Sequence, residues 1–258
     1  MRDLGRKGLE LAHSLFLDSL RRLSPEVRLS APGREEVRAL CKQVELNESH
    51  LLGVASVHND VLQRQFEFAL RRTELLLSRD GLEEQVFQKV LLHGTQRTHV
   101  PVIAALGFDA RFSSPVHASE PSHCHVAEAV HLTDSARLAR HFCALDHEAG
   151  EDMWQTRKKS LLSRSDDVRT CVVATGVVGA TLHVDSKEFD ENTPPLLKPP
   201  VREETGRRYD VVCDTHSSRA TRYYYFDGAC LLPTHLLFFS DSSSDSPSST
   251  ESELQSSE

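Results

Sequence analysis

The sequence predicts an α+β domain whose strands pair mostly antiparallel, and three observations predict it. Apolar residues recur at helical spacing from residue 6 to 23 and again beyond Asn59, the sign of amphipathic helices. A short apolar run, Val86 to Leu92, holds β-branched and aromatic residues with no proline or glycine and reads as a buried strand. Three further β-rich stretches, Tyr209 to Cys213, Arg222 to Phe226 and Leu231 to Phe239, are separated by turn residues, which favours antiparallel pairing.

Bulk properties narrow the class. With 258 residues, 39% hydrophobic and 26% charged, the chain can bury one sizeable core or two small ones. A formal net charge of −8 argues against a nucleic-acid surface, which is normally basic. No apolar run approaches bilayer length, and the charged start Met1-Arg2-Asp3 lacks a signal peptide's apolar stretch. The cysteines at 41, 124, 143, 171, 213 and 230 include no Cys-x-x-Cys pair, so reduced thiols in a cytoplasmic or nuclear protein are expected.

Taken in order, Leu9, Leu11, Leu15, Phe16, Leu20 and Leu23 make the first helix, which Ser24-Pro25 stops. A second helical pattern follows from about Arg34 to Leu46, and residues 1–44 are set apart as an N-terminal helical segment. An apolar strand reaches Val57, and Asn59 or Asp60 then caps a helix. That helix is expected to turn Val61, Leu62, Phe66, Phe68, Leu70 and Leu75 inward and Arg64, Arg71 and Arg72 outward. After the Val86 strand, a short helix from about Thr98 to Leu106 carries Pro101 in its first turn and stops at Gly107. Residues 111–125 read as loop, 126–143 as strand then helix, 147–167 as a polar excursion, and 170–183 as one strand. Residues 241–258 are serine and acid with almost nothing apolar, a composition that stays disordered and offers acid-flanked phosphorylation sites.

The Val86 strand ends in His93-Gly94-Thr95, an imidazole beside a residue whose bare backbone admits a ligand. Around it stand Val54-x-x-Val57-x-Asn59-x-x-Leu62 upstream and Gly107-Phe108-Asp109 with Arg111 downstream. Val177-Val178-Gly179, Pro199-Pro200, Tyr209-Asp210 and the aromatic ending Tyr224 to Phe239 follow. In this order and spacing, residues 45–240 resemble the catalytic domain of the poly(ADP-ribose) polymerases, the PARP branch of the diphtheria-toxin-like ADP-ribosyltransferases. The resemblance implies that family's α+β fold with split, mostly antiparallel sheets, and cleavage of NAD+, the substrate, with transfer of ADP-ribose to a protein acceptor that the sequence does not name.

By the same resemblance, His93 is the catalytic residue and holds a ribose hydroxyl, Gly94 offers its backbone to the nicotinamide carboxamide, and Thr95 supports the turn. The family's stacking tyrosine falls at Val130, or at His131 with a one-residue slip; only His131 has a π face. The run Leu232 to Phe238 holds no acid where polymerising members are expected to carry a glutamate, which excludes chain elongation and leaves at most mono-ADP-ribosylation. An inactive scaffold of the same fold is the alternative. His117, His123, Cys124, His125 and His131 crowd one stretch, but their spacing matches no common metal site, so no metal is assigned.

Overall fold

The computed structural model describes residues 3–82, 85–112, 126, 128–148, 168–185, 196–217 and 220–240. Helix α1 (Leu4–Leu23) begins at Asp3, whose carboxylate accepts the Arg6 N–H at 3.0 Å. Strand β1 (Val27–Ser30) and helix α2 (Arg34–Gln43) follow. Next come β2 (Leu51–Asn59), α3 (Asp60–Arg79), β3 (Phe87–Gly94) and α4 (Val100–Leu106). The remainder is β4 (Val130–Thr133), α5 (Ala136–Glu148), β5 (Val168–Val178), β6 (Thr181–Val184), β7 (Val211–Ser217), β8 (Ala220–Tyr225) and β9 (Leu231–Ser240).

All nine strands form one sheet in the order β1-β2-β9-β5-β3-β4-β8-β7-β6, antiparallel at every step except β6 with β7. The α+β expectation therefore holds at the level of class. Near the middle the sheet narrows: β3 and β4 share the single registered pair Leu92↔Thr133, whereas β3 pairs with β5 from Phe87 to Gly94. Two half-sheets meet along this seam.

Helices α1, α3 and α4 cover one face, where Ala12, Phe16, Phe66, Ala69, Val100 and Ile103 join Leu91, Val172 and Phe238 in the main core. Helices α2 and α5 cover the other, with Val37, Leu40, Ala139 and Cys143 packed on Leu92, Val173 and Leu237. The N-terminal helical segment is continuous with this core. Helix α1 lies directly on β2: a Cβ on Gly8 would sit 2.2 Å from the Val54 backbone, and one on Gly53 would sit 2.4 Å from the Gly8 nitrogen. Only a pair of glycines lets helix and strand backbones approach so closely.

Several sequence expectations need correction. Strand β1 lies where none was predicted, because four residues between Pro25 and Pro32 are too few for a periodic signal; pairing with β2 (Val27↔Asn59) recruits it. The single strand expected over 170–183 is two. The break falls at Gly179-Ala180, where the Asp210 carboxylate takes the Ala180 N–H at 2.8 Å, and β6 departs to pair with β7 at the far edge. Strand β9 does not continue the β7–β8 hairpin but inserts between β2 and β5. Its run Leu236-Leu237-Phe238-Phe239 is buried on both faces, so only a sheet interior covered on both sides accommodates it.

Helix α3 also turns differently from the expectation. Leu62, Phe66, Ala69, Thr73 and Leu77 form its buried side. Val61, Phe68 and Leu75 instead share the solvent face with the arginines, at 48%, 69% and 73% exposure. The two apolar sets lie on opposite sides of the helix, and the longer, denser one takes the core. Five of the six cysteines fall among described residues, and all five are buried, none of them joined to another in a disulfide.

Candidate functional site

His93 stands where β3 runs past the end of its pairing with β4. Alternation along the strand puts Leu91 in the main core and Leu92 against α5. His93 returns to the first face, where its ring meets Phe108 edge-on, centroids 5.3 Å apart at 89°. The His-Gly-Thr and Gly-Phe-Asp motifs, apart in sequence, thus touch. The Asp109 carboxylate grips Arg111 at 2.6 Å and accepts its backbone N–H at 3.0 Å, which sets the turn after Phe108.

Across the seam, His93 Nδ1 lies 2.8 Å from the carbonyl oxygen of His131 on β4. A carbonyl only accepts, so Nδ1 carries the proton and, in the neutral ring, Nε2 keeps its lone pair. Burial pulls the His93 pKa below its ordinary 6.5; the His131 carbonyl opposes this and the nearby His99 adds to it. At neutral pH His93 is therefore an uncharged ring fixed in one tautomer, able to accept a hydrogen bond from a hydroxyl. Its Nδ1 partner is a backbone carbonyl, not a carboxylate, so the partner cannot stabilise an imidazolium as an acid would.

Gly94 and Thr95 complete the motif differently. A Cβ on Gly94 would lie 2.1 Å from the Ala139 carbonyl oxygen and 2.8 Å from the Phe142 Cβ of α5. Packing by α5 alone therefore demands glycine here, with or without a ligand. Thr95 is buried just beyond the strand.

The two alternatives for the stacking position separate cleanly. Val130 is 3% exposed and belongs to the main core on the His93 face, so it presents no surface on which a ring could lie. His131 points to the opposite face and packs edge-on against Tyr224, centroids 5.0 Å apart at 90°. What His131 brings to His93 is its backbone carbonyl, not its ring.

A cluster that the sequence did not disclose crosses the same seam. Lys89 of β3 places Nζ 3.1 Å from Asp134 Oδ2, just past β4, and donates to the hydroxyl of Tyr223 on β8. The ammonium also sits 4.7 Å from the Tyr223 ring centroid. The other Asp134 oxygen accepts the Thr221 N–H at 2.9 Å. Burial lowers the Lys89 pKa, but the bonds to Tyr223 and Asp134 together carry it above the usual 10.5. Burial pushes the Tyr223 phenol up despite the ammonium beside it. The group is thus a charged lysine, a carboxylate and a neutral phenol that staple β3 to the second half-sheet. Its one sequence trace is a lysine interrupting an apolar run, because its members are otherwise far apart in the chain.

On the opposite face, His235 of β9 meets an acid after all, though not one from its own strand. Glu36 of α2 places Oε1 2.9 Å from His235 Nε2 and accepts the Ser56 hydroxyl at 3.2 Å. The hydrogen bond from His235 holds the Glu36 carboxyl below its ordinary 4.5. This trio ties α2 to β2 and β9, away from His93.

Of the histidine-rich stretch, His117, His123, Cys124 and His125 lie outside the described residues, as do the 241–258 tail and all of the expected 147–167 excursion except its first two residues, which instead close α5. Among the described residues no group of three His, Cys, Asp or Glu is placed to hold a metal ion, and no helix is long and apolar enough to cross a membrane. In comparisons with known proteins, no family model matches the chain and no curated sequence matches it.

Proposed function

We propose that this chain is a PARP-like ADP-ribosyltransferase-fold protein that engages NAD+ through His93 and, at most, transfers a single ADP-ribose to a protein acceptor. The observation that carries this reading is the fixed tautomer of His93: with Nδ1–H held by the His131 carbonyl, Nε2 is left as an acceptor for a ribose hydroxyl. Contact between the His-Gly-Thr and Gly-Phe-Asp motifs at His93 and Phe108 supports it. The dinucleotide fits this site only in part. His93 suits a hydroxyl, whereas Val130 provides no face for nicotinamide and Gly94 owes its identity to α5.

That partial fit favours a second reading, a scaffold of the same fold that binds NAD+ or ADP-ribose without turning it over. An oxocarbenium-like transition state needs negative charge placed where the cation develops. The two carboxylates described above, Asp134 and Glu36, are both committed to cations or donors of the fold.

Titration calorimetry of the full chain with NAD+ tests the first claim, with a His93→Ala variant as the control. Binding to the wild type that falls at least about tenfold in the variant supports the site. Release of nicotinamide together with a mass increase of one ADP-ribose on an acceptor supports transfer. Binding without release selects the scaffold. No binding by either form overturns the NAD+ reading.

A further inference from the structure

The solvent face of α3 carries a single file of exposed apolar residues. Val61, Phe68 and Leu75 recur at an exact seven-residue interval, so at about 100° per residue they fall within about 40° of one line. Each is substantially exposed, although five other residues of α3 already fill the core. Flanking this line are Arg64 and Arg71 on one side and Gln65 and Arg72 on the other, with Arg79 at its end, all exposed. Glu67 and Glu74 stand roughly 100° or more from Phe68, off this face. Arg72 is engaged by Asp227 at 2.7 Å, while Arg64, Arg71 and Arg79 have no ion-pair partner among the described residues.

A seven-residue apolar repeat supplies one of the two apolar rows of a heptad seam, and the like charges standing where the second row would fall select the partner. We propose that this face docks an amphipathic helix of a different protein, one with apolar residues at seven-residue spacing flanked by Asp and Glu. A second copy of this chain fits poorly. An antiparallel pair centred on Phe68 would set Arg64 against Arg72 of the other copy, and a parallel pair would align the same arginines. The chain's own acidic tail has suitable charge, but across 241–258 it offers one large apolar side chain, Leu254, where the seam needs three. A lipid surface calls for a broad apolar face, whereas this one is a single file of three residues, because the broad side of α3 is buried.

The test uses the full chain and two synthetic helical peptides of about four heptads. Each carries a single row of leucines at seven-residue spacing, flanked by glutamate in one peptide and by lysine in the other. Fluorescence anisotropy is expected to show micromolar binding of the glutamate peptide, weakened by salt, and no binding of the lysine peptide. Phe68→Ser should weaken binding about tenfold while leaving the melting temperature nearly unchanged, since that side chain is exposed. The double change Arg64→Glu with Arg71→Glu should abolish binding of the glutamate peptide and confer binding of the lysine peptide. The proposal is overturned by absence of glutamate-peptide binding, or by binding that Phe68→Ser leaves intact. It is equally overturned if sedimentation reveals a homodimer that Phe68→Ser dissolves, or if phosphatidylserine vesicles, and not the peptide, bind in a Phe68-dependent way.

Discussion

Asn59 joins three elements, and replacing it tests whether that junction holds the fold. Its Oδ1 caps α3 by accepting the Val61 and Leu62 N–H groups at 3.1 and 3.2 Å. Its Nδ2 reaches the last turn of α4, donating to the Ala104 and Ala105 carbonyls at 3.1 and 3.0 Å. The residue is 5% exposed, so water does not replace what is lost. Losing the cap costs about 1 kcal/mol. Losing two buried amide-to-carbonyl bonds costs about 1 to 1.5 kcal/mol each. Asn59→Ala should therefore destabilise by about 3 to 4 kcal/mol, lowering the melting temperature by about 10 °C in a chain of this size. Asn59→Ser separates the contributions, because serine restores the cap but cannot reach α4, so it should recover about 1 kcal/mol. Urea denaturation followed by circular dichroism measures both. If Ser were as stable as the wild type, or Ala cost under 1 kcal/mol, the bridge from α3 to α4 would contribute nothing and the reasoning would fail.

Four other outcomes follow from the contacts described. Asp80, nearly buried, pairs with Arg207 at 2.8 Å and Arg202 at 3.6 Å, so Asp80→Ala strands a buried guanidinium and should cost about 3 kcal/mol by chemical denaturation. Gly53→Val forces α1 off β2 and should cost several-fold more stability than Gly206→Ala in the same assay, because a Cβ at Gly206 meets nothing within 4 Å even though its φ of 68° adds some strain. His93 is held neutral in the folded state with its pKa below 6.5, so the unfolded chain binds more protons as pH falls through that region. Stability should decline from pH 7 towards pH 5, and His93→Gln should flatten that part of the profile. Glu36 behaves as a carboxylate with a depressed pKa. Its contribution should be present above pH 4.5 and vanish as pH falls through the lower folded value, so Glu36→Gln and wild type should converge in stability in acid.

Much of the fold was legible in the sequence because its signals are local. Asn59 as a cap, Gly107 as a helix stop and the apolar Val86 run all act within a few residues, and each element is found where it was expected, although the strand is buried only at Leu91 and Leu92 and leaves Phe87 and Gln88 exposed. What escaped depends on distance. Strand β1 exists through its partner, β9 takes the sheet interior because helices cover both of its faces, and Lys89 finds Asp134 and Tyr223 only once two half-sheets meet. The candidate site divides the same way. His93 was marked by its motif, but what fixes its tautomer is the backbone of a residue picked out for its side chain, His131. Gly94, marked as a ligand's doorway, is required by α5 from the other side of the sheet.

The seam between β3 and β4 draws these contacts together. With one registered backbone pair at Leu92↔Thr133, side chains supply the remaining cross-links: His93 to the His131 carbonyl on one side of that pair, and Lys89 to Asp134 and Tyr223 on the other. Anything that binds His93 Nε2 therefore acts on a residue that also clasps the two half-sheets. A ligand at the proposed His93 site would couple its binding to seam integrity through one ring, and linkage requires such a coupling to run both ways. Asp134→Asn, which weakens the Lys89 cross-link without touching His93, should lower stability modestly. If NAD+ binds at His93 as proposed, the variant should also bind it more weakly, and equal affinity in the variant and the wild type would show that the two ends of the seam are independent.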